Sequence, residues 1–357
     1  MNVDVVVAVM AGGAGTRFWP ASTHARPKQF LQLTGERTLL QQSFDRARGL
    51  APLERILVVS NAAFAPLVSA QLPELPKDNV VNEPARRDTA ASVVLATLLA
   101  HKRFPGAVLV VLTSDHVIAP ADAFAKTVRS AVENCGDSLY TIGIPPTHPA
   151  TGYGYLELGA RMRDDTGVQH REVVRFVEKP DLETAKKYLA SGDFLWNSGM
   201  FVWKPETALA VMREHLPKHV ENIGGAVGYD RSTAFEAALT SAFADLPKIS
   251  VDYGLMEKAV GRVSCVPAMF SWSDVGSFPT LADHLPKERG NAHRGRVAAL
   301  DARDNVVWCD DAGELVALIG VNDLVVVRAG KRTLVVPKAR AEEIKKLVDS
   351  LPPEDKE

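Results

Sequence analysis

Cysteine is scarce: Cys135, Cys265 and Cys309 are the only three in 357 residues. They are odd in number and far apart, and no CxxC pair is present to hold zinc or run redox chemistry. A disulfide-stapled fold is therefore excluded, and the thiols are expected to be reduced, cytosolic and partly buried. Charge of neither sign is in excess, because 41 Lys and Arg against 43 Asp and Glu leave a formal charge of -2. Proteins that grip a phosphate backbone without regard to sequence usually carry a strong basic surplus, so no nucleic-acid partner is expected, while a local cationic pocket is compatible with the balance. Long apolar runs are missing too. The N-terminal run Val5 to Ala11 is far shorter than the roughly 20 residues of a membrane span, and no basic segment precedes it as in a signal peptide. The expectation is a cytoplasmic protein, without membrane contact, that begins directly with a strand. The nine histidines form no HExxH or HxH group, and there is no GxSxG elbow, so hydrolytic zinc and serine chemistry lack support.

What is present is an ordinary globular balance, 46% hydrophobic and 24% charged, over a length that suggests two domains or one large domain with an appendage. Val5 to Val9, Ile56 to Val59, Val108 to Leu112 and Leu139 to Ile142 are apolar on both faces, as strands of a covered parallel sheet are. Helical stretches separate them: Ala90 to His101, with Asp88 and Thr89 placed to cap it, and Phe124 to Val132. This alternation predicts an α/β sheet with right-handed crossovers. After Pro145 the pattern loosens, with strands expected near Val173 to Val177 and Gly199 to Trp203 and a helix at Pro205 to His215. From about Gly290 it becomes a series of short strands, Val297 to Leu300, Val306 to Cys309, Leu315 to Ile319, Leu324 to Val327 and Thr333 to Val336, punctuated by turn signals. They predict a small all-β domain followed by an exposed helix near Arg340 to Leu351.

The first strand runs straight into Ala11-Gly12-Gly13-Ala14-Gly15-Thr16-Arg17, then Pro20 and a basic cluster ending at Lys28. Glycines let backbone N–H groups approach an anion closely. No Gly-Lys-Ser/Thr follows, so this is not a Walker loop, and Phe18 stands where a dinucleotide fingerprint needs its third glycine. A glycine-rich turn can be purely structural, but Arg17 and Lys28 in the same loop add a bidentate fork and a point charge suited to a polyphosphate. Asp115, in Thr113-Ser114-Asp115-His116, stands at the carboxyl end of a strand, where ligands bind in open α/β folds. Asp274 lies in Trp272-Ser273-Asp274-Val275-Gly276-Ser277. Alone, Asp115 reads more readily as a turn or helix-cap residue and Asp274 as an Asx turn; converging, they would form the sparse oxygen site Mg²⁺ prefers when phosphates and waters complete its shell. Gly152-Tyr153-Gly154-Tyr155, Glu178-Lys179-Pro180 and Trp196-Asn197-Ser198-Gly199 are either plain turns or places to hold a sugar phosphate.

The stretch Gly12 to Pro20 through Pro27-Lys28-Gln29-Phe30 resembles the signature of sugar-nucleotide pyrophosphorylases, and its Trp-Pro and Pro-Lys-Gln-Phe forms resemble the mannose-1-phosphate guanylyltransferase branch. Matches continue in the family's order through Asn82-Glu83-Pro84, Thr89-Ala90, Ser114-Asp115-His116, Gly152 to Tyr155, Phe176 to Pro180, Trp196 to Phe201, Asp252-Tyr253 with Met256-Glu257-Lys258, and Trp272 to Gly276. Three positions depart from the pattern: Phe18 where leucine is usual, Asp88 where asparagine is common, and Phe278 where tryptophan often follows the glycine motif.

The resemblance implies a Rossmann-like mixed-sheet nucleotidyltransferase core over 1–288 and a C-terminal left-handed β-helix domain with a terminal helix over 289–357. It implies transfer of GMP from GTP to mannose 1-phosphate, giving GDP-mannose and pyrophosphate, in a cytoplasmic homodimer. Arg17 and Lys28 become catalytic, with Ala11, Gly12, Gly13, Gly15, Thr16, Arg17, Glu83, Asp88, Thr89 and Ser114 on the nucleotide. Gly154, Glu178, Lys179 and Asn197 fall to the sugar phosphate, and Asp115 and Asp274 to Mg²⁺. Long family members carry an additional phosphomannose isomerase domain; with only His284 and His293 in the later part of this chain, transferase activity alone is expected. The alternatives are another sugar 1-phosphate or nucleotide, or a catalytically silent sugar-nucleotide sensor, which would be expected to have lost Arg17, Lys28 or an aspartate.

Overall fold

The computed structural model describes residues 3–13, 16–162, 167–230 and 233–356. They group into two compact units: one holds the chain up to Gly12, Ser43–Thr113 and Ile118–Trp272, the other Gly13–Gln42, Ser114–Val117 and the chain from Ser273 onward. Two early segments thus group with the C-terminal one.

The first unit is built on a nine-stranded sheet. Strands β1 (Val5–Met10), β2 (Ile56–Asn61), β3 (Val80–Glu83) and β4 (Val108–Thr113) run parallel in the order β3-β2-β1-β4. Val6 to Val9 are fully buried, and an unbroken aliphatic run is what a strand covered on both faces requires. A short strand outside this sheet, β5 (Val117–Ala119), follows. The sheet continues with β6 (Leu139–Ile144), β7 (Gly154–Met162), β8 (His170–Glu178), β9 (Phe194–Trp203) and β10 (Val263–Pro267), in the order β4-β9-β6-β10-β8-β7. Because β9 runs antiparallel to both β4 and β6, the sheet is mixed.

The Trp196 to Gly199 segment, readable as a turn, instead lies inside β9. Gly199 takes a left-handed φ of 70°, and the pairing with β6 shifts register between Thr141 and Gly143. Such irregularities re-aim side chains near functional sites. The helix Asp88–Arg103 extends beyond Ala90 to His101 at both ends and packs on Pro205–His215 and Pro217–Val227. Asp88, at φ 62°, accepts the Thr89 N–H at 2.8 Å, whereas the Thr89 hydroxyl accepts the Val251 N–H instead of capping the helix.

The second unit contains a parallel β-helix. Asn291–Arg294, Val306–Cys309 and Leu324–Ala329 stack in one sheet and Arg296–Leu300 and Leu315–Ile319 in another. Arg296 pairs with Leu315, Arg303 with Asn322 and Val306 with Val325, so this coil advances 19 residues. An asparagine ladder sets the corner: Asn305 donates to Asn291 Oδ1 at 2.9 Å while its own Oδ1 accepts the Leu324 N–H, both asparagines being fully buried. Arg332–Pro337 closes the stack antiparallel on Leu324–Ala329.

The terminal segment is a 3-10 turn, Lys338–Glu343, followed by a helix, Ile344–Ser350, and it is not simply exposed. Ala341, Ile344 and Val348 are buried in a core with Phe18, Trp19, Leu31, Phe278 and Trp308. All three cysteines are free and buried rather than partly exposed, and burial pushes the Cys265 thiol up to about 12. No helix among the described residues is long and apolar enough to cross a membrane.

Candidate functional site

In the second unit the basic loop closes on itself through Lys28. This residue opens a 3-10 turn, Lys28–Phe30, anchored by buried Gln29 and Phe30. Its ammonium donates to the main-chain carbonyls of Asp274 at 2.8 Å and Val275 at 3.3 Å, and lies 3.1 Å from Asp115 Oδ2. Burial alone would raise the Asp115 carboxyl; Lys28 and then His116, whose Nε2 is 3.7 Å away, outweigh it and hold the group below the usual carboxylate range. A Cβ on Gly13 would lie 3.9 Å from Asp115 Oδ2, so the bare loop leaves that carboxylate room.

Arg17 sits on the Thr16–Phe18 turn, with Nε 3.3 Å from Glu342 Oε2, both side chains more than half exposed. Arg17, Phe18, Lys28, Asp274 and Gly276 line one cavity of about 190 Å³. A Cβ on Gly276 would lie 3.0 Å from Asp274 Oδ2, close enough that the carboxylate would have to give way. Both expected cations and one expected metal ligand therefore share a cavity, and the other metal ligand touches Lys28. Asp115 and Asp274 contribute only oxygen, the donor type of Mg²⁺, and among the described residues no group of three or more His, Cys, Asp or Glu surrounds a point. Two carboxylates fit an ion that draws its remaining ligands from phosphates and water.

Phe18 and Phe278, the two aromatic departures from the family pattern, meet here with ring centroids 4.8 Å apart. Ser114 is buried. Ala14 and Gly15 lie outside the described residues, and Thr16 is described only through its backbone.

In the first unit, Glu83 ends β3 and is buried. Burial pushes its carboxyl up to about 7, against the hydroxyl of Ser92, which donates to Oε1 at 2.6 Å. A Cβ on Gly12 would lie 3.7 Å from Glu83 Oε2, so the glycine at the end of β1 faces this carboxylate. Ala11 is buried, with its N–H tied to the Val59 carbonyl at 2.7 Å.

A second cluster of the same unit forms across β6 to β9. Gly154 stands opposite Glu178 in the β7–β8 register, and a Cβ there would lie 2.6 Å from Glu178 Oε2 and 3.2 Å from the Phe176 ring. The room at Gly154 is thus occupied by Glu178. The ammonium of Lys179 donates to Glu178 Oε1 at 2.7 Å. Burial pulls that ammonium down, but the Glu178 hydrogen bond and charge, with smaller contributions from Asp252 and Tyr253, leave it above its ordinary value. Asn197 donates through Nδ2 to Asp252 Oδ1 at 2.8 Å and accepts from the Thr141 hydroxyl at 2.9 Å. Tyr153 packs edge-on against Trp196 and Trp272, centroids 5.0 and 5.4 Å away. Thr141, Asp252 and this aromatic wall were missed as site residues, although Asp252, Tyr153, Trp196 and Trp272 all lie in stretches that match the family; Thr141 carried no signal.

A mixed α/β sheet and a cavity lined by two cations are the features among the described residues that suit phosphorylated ligands. Residues 6–289 match the nucleotidyl transferase family and residues 295–351 the MannoseP isomerase/GMP-like beta-helix domain, and the chain belongs to the nucleotidyl transferase family. It is 37% identical over 348 residues to a mannose-1-phosphate guanylyltransferase of Klebsiella pneumoniae, covering 96% of this chain and 73% of that protein. It is 38% identical over 354 residues to the xanthan biosynthesis protein XanB of Xanthomonas campestris pv. campestris (strain B100), covering 98% and 73%. A crystal structure from Thermus thermophilus, described as a mannose-1-phosphate geranyltransferase, superposes with a TM-score of 0.85 at 34% identity, covering 97% of this chain and 98% of the other. The protein is a nucleotidyltransferase.

Proposed function

We propose that the enzyme transfers GMP from GTP to mannose 1-phosphate, releasing pyrophosphate and forming GDP-mannose. The observation that carries this reading is the cavity shared by Arg17, Lys28 and Asp274, in a chain whose relatives are named for that reaction. An oxygen of the sugar phosphate attacks the α-phosphorus in line and the bond to the pyrophosphate oxygen breaks. A phosphate monoester is largely dianionic at pH 7, so no general base is needed and catalysis consists of alignment and charge neutralisation. Arg17 and Lys28 neutralise the phosphates, assisted by the N–H groups of the Ala11 to Thr16 loop, Gly12, Gly13 and Gly15 included, with Asp88, Thr89 and Ser114 also on the nucleotide. Glu83, when ionised, offers acceptors for the ring and exocyclic N–H groups of guanine. Gly154, Glu178, Lys179 and Asn197 bind the sugar phosphate. Asp115 and Asp274 would hold Mg²⁺, which supplies charge stabilisation to the phosphates when bound.

The core extends over 1–288 and the C-terminal domain over 289–357 in this reading. The buried free thiols accord with a cytoplasmic location. A homodimer is favoured by the apolar outer face of the β-helix, where Leu300, Leu315 and Ile319 are 60, 56 and 71% exposed. A dimeric mass at micromolar concentration supports that assembly; a monomeric one rejects it.

Pyrophosphate release measured with each of the four NTPs against mannose, glucose and N-acetylglucosamine 1-phosphates, with and without Mg²⁺, tests the reaction. Metal-dependent signal with GTP and mannose 1-phosphate alone is expected. Activity with a different pair changes the substrates, and none at all favours the sensor.

A further inference from the structure

One acidic side chain beside the proposed sugar residues has no part in the reaction as written. Asp252 is the first residue of a single π-helical turn, Asp252–Met256, a wide turn often found at functional sites. The turn is pinned on both sides of the aspartate: the Val251 N–H donates to Thr89 Oγ1 at 2.8 Å and the Gly254 N–H to the Ser250 carbonyl at 2.8 Å. Its carboxylate is therefore held in place rather than carried on a loose loop.

The partner of that carboxylate is Asn197. An ionised carboxylate only accepts, so the end of the Asn197 side chain facing it must be the amide N–H. The opposite end is held as well, since Asn197 Oδ1 accepts from Thr141 Oγ1 at 2.9 Å and from the Gly199 N–H at 3.4 Å. The Met200 carbonyl lies 3.1 Å from the same Thr141 oxygen and competes for its one proton, so the ionised Asp252 and the Gly199 N–H decide which way the amide faces. One Nδ2–H is used by Asp252, and among the described residues the other has no hydrogen-bond partner.

We infer that Asp252 is a positioning residue for the sugar: it fixes the Asn197 amide so that one N–H is always presented to a hydroxyl of the sugar ring, and thereby sets the preference for sugars bearing that hydroxyl. The inference rests on the sugar-binding role given to Asn197 above. The like charge of Glu178, which is itself engaged by Lys179, makes the arrangement sensitive to protons. Burial, and then Glu178, raises the Asp252 carboxyl to about 6, and Lys179 and Asn197 oppose this only in part. Protonation gives the group an O–H donor beside its carbonyl, so it no longer dictates which end of the amide faces it, and sugar binding weakens as pH falls through 6. Among the described residues Glu178 and Lys179 are the titratable groups that act on this carboxylate, and Tyr253 acts on Lys179 in turn.

The test is steady-state pyrophosphate release by the full chain and by Asp252→Leu and Asp252→Asn, varying nucleotide and sugar 1-phosphate separately. Asp252→Leu is expected to raise KM for the sugar phosphate about 10- to 100-fold, the cost of an unfixed polar contact, with KM for the nucleotide within about twofold. Asp252→Asn keeps a neutral acceptor for Asn197 but no charge to dictate its orientation, so it restores part of that loss and matches the wild type at low pH. It also removes the pH dependence: the ratio of wild-type to Asp252→Asn sugar KM rises below pH 6, and taking the ratio cancels the titration of the substrate's own phosphate. Deoxy sugar 1-phosphates are less strongly rejected by Asp252→Leu than by the wild type. Equal changes in both KM values, no rescue by Asp252→Asn, or a pH-independent ratio would overturn the inference. If Asp252→Leu does not fold, the Asp252→Asn pH ratio decides alone. A wild type inactive with every sugar 1-phosphate sinks the functional reading itself, whereas an active wild type with an unmoved sugar KM sinks only the role of Asp252.

Discussion

Phe18 and Phe278 lie with ring centroids 4.8 Å apart at an interplanar angle of 58°, both buried, although 260 positions separate them in sequence. Each departs from the pattern the sequence resembles, in which leucine is usual at the first position and tryptophan frequent at the second. A larger ring on one side and a smaller ring on the other conserve the volume of the pair, the kind of exchange a packed core tolerates. Thermal denaturation of Phe18→Leu, Phe278→Trp and the double variant is expected to show about 1 kcal/mol lost to a cavity in the first and about 1–3 kcal/mol to overpacking in the second. The double variant should recover at least about 0.5 kcal/mol relative to the sum. Strict additivity would mean that the two sites do not compensate.

Lys28 holds three acceptors at once, which makes it a structural clamp as well as a cation. Lys28→Met keeps the stem but leaves the Asp115 carboxylate and two carbonyls without their ammonium. Turnover should fall about 100- to 1,000-fold, as when one preorganised donor to a developing charge is removed. The depressed Asp115 carboxyl contributes stability above the normal carboxylate range, and that stability is lost as pH falls through its lowered value. Asp115→Asn should therefore narrow the stability gap to wild type in acid, while at pH 7 it lowers turnover by orders of magnitude. Unchanged turnover in both Asp115→Asn and Asp274→Asn would remove them from the metal.

Glu83 predicts the opposite pH behaviour. Because its folded value is raised to about 7, the native state favours the protonated form. The contribution to stability is complete below the ordinary value of 4.5 and is lost as pH rises through 7. Glu83→Gln should exceed the wild type in unfolding free energy at pH 8.5, by roughly 2 kcal/mol, and lose that advantage at pH 5. The same variant should raise KM for GTP, and in the wild type that KM should climb as pH drops below 7. A flat profile in the wild type would detach Glu83 from the base.

At Gly154 the outcome is decided by crowding. Alanine would place its Cβ 2.6 Å from Glu178 Oε2, pushing that carboxylate away from its seat on β8. A rise in KM for the sugar phosphate of about tenfold, with nucleotide KM little changed, is expected from one displaced hydrogen-bonding group. Nucleotide and sugar effects of equal size would indicate general damage to the sheet.

How much of this was legible in the sequence depended on range. β1 and β4 were plain because a strand buried on both faces writes itself as a continuous aliphatic run. Five strands of the β-helix unit were found almost residue for residue, since Asp304-Asn305 and Asn322-Asp323 mark the corners where the coil turns, but Asn291–Arg294 was missed. Trp196 to Gly199 misled because glycine and asparagine suggest a turn, and only the bulged pairing of β9 with β6 makes them strand residues. Ile344 and Val348 looked like parts of an exposed helix because their partners, such as Phe18 and Phe278, are remote in the chain. The same applies to chemistry. Arg17, Lys28, Asp115 and Asp274 were proposed from type and motif, but that Lys28 holds the Asp274 carbonyl across 246 positions is visible only in three dimensions.

The seat beneath the Arg17 turn is assembled from widely separated parts of the translation product. Phe18 and Trp19 emerge from the ribosome early, whereas Ala341, Ile344 and Val348, which complete their core, are among the last described residues to be made. A growing chain can fold its large sheet while still attached, but it cannot give this arginine its final surroundings until synthesis has passed Val348. Nascent chains and early-terminated products should thus lack the set phosphate-binding turn, and activity should switch on at that length rather than accumulate with it.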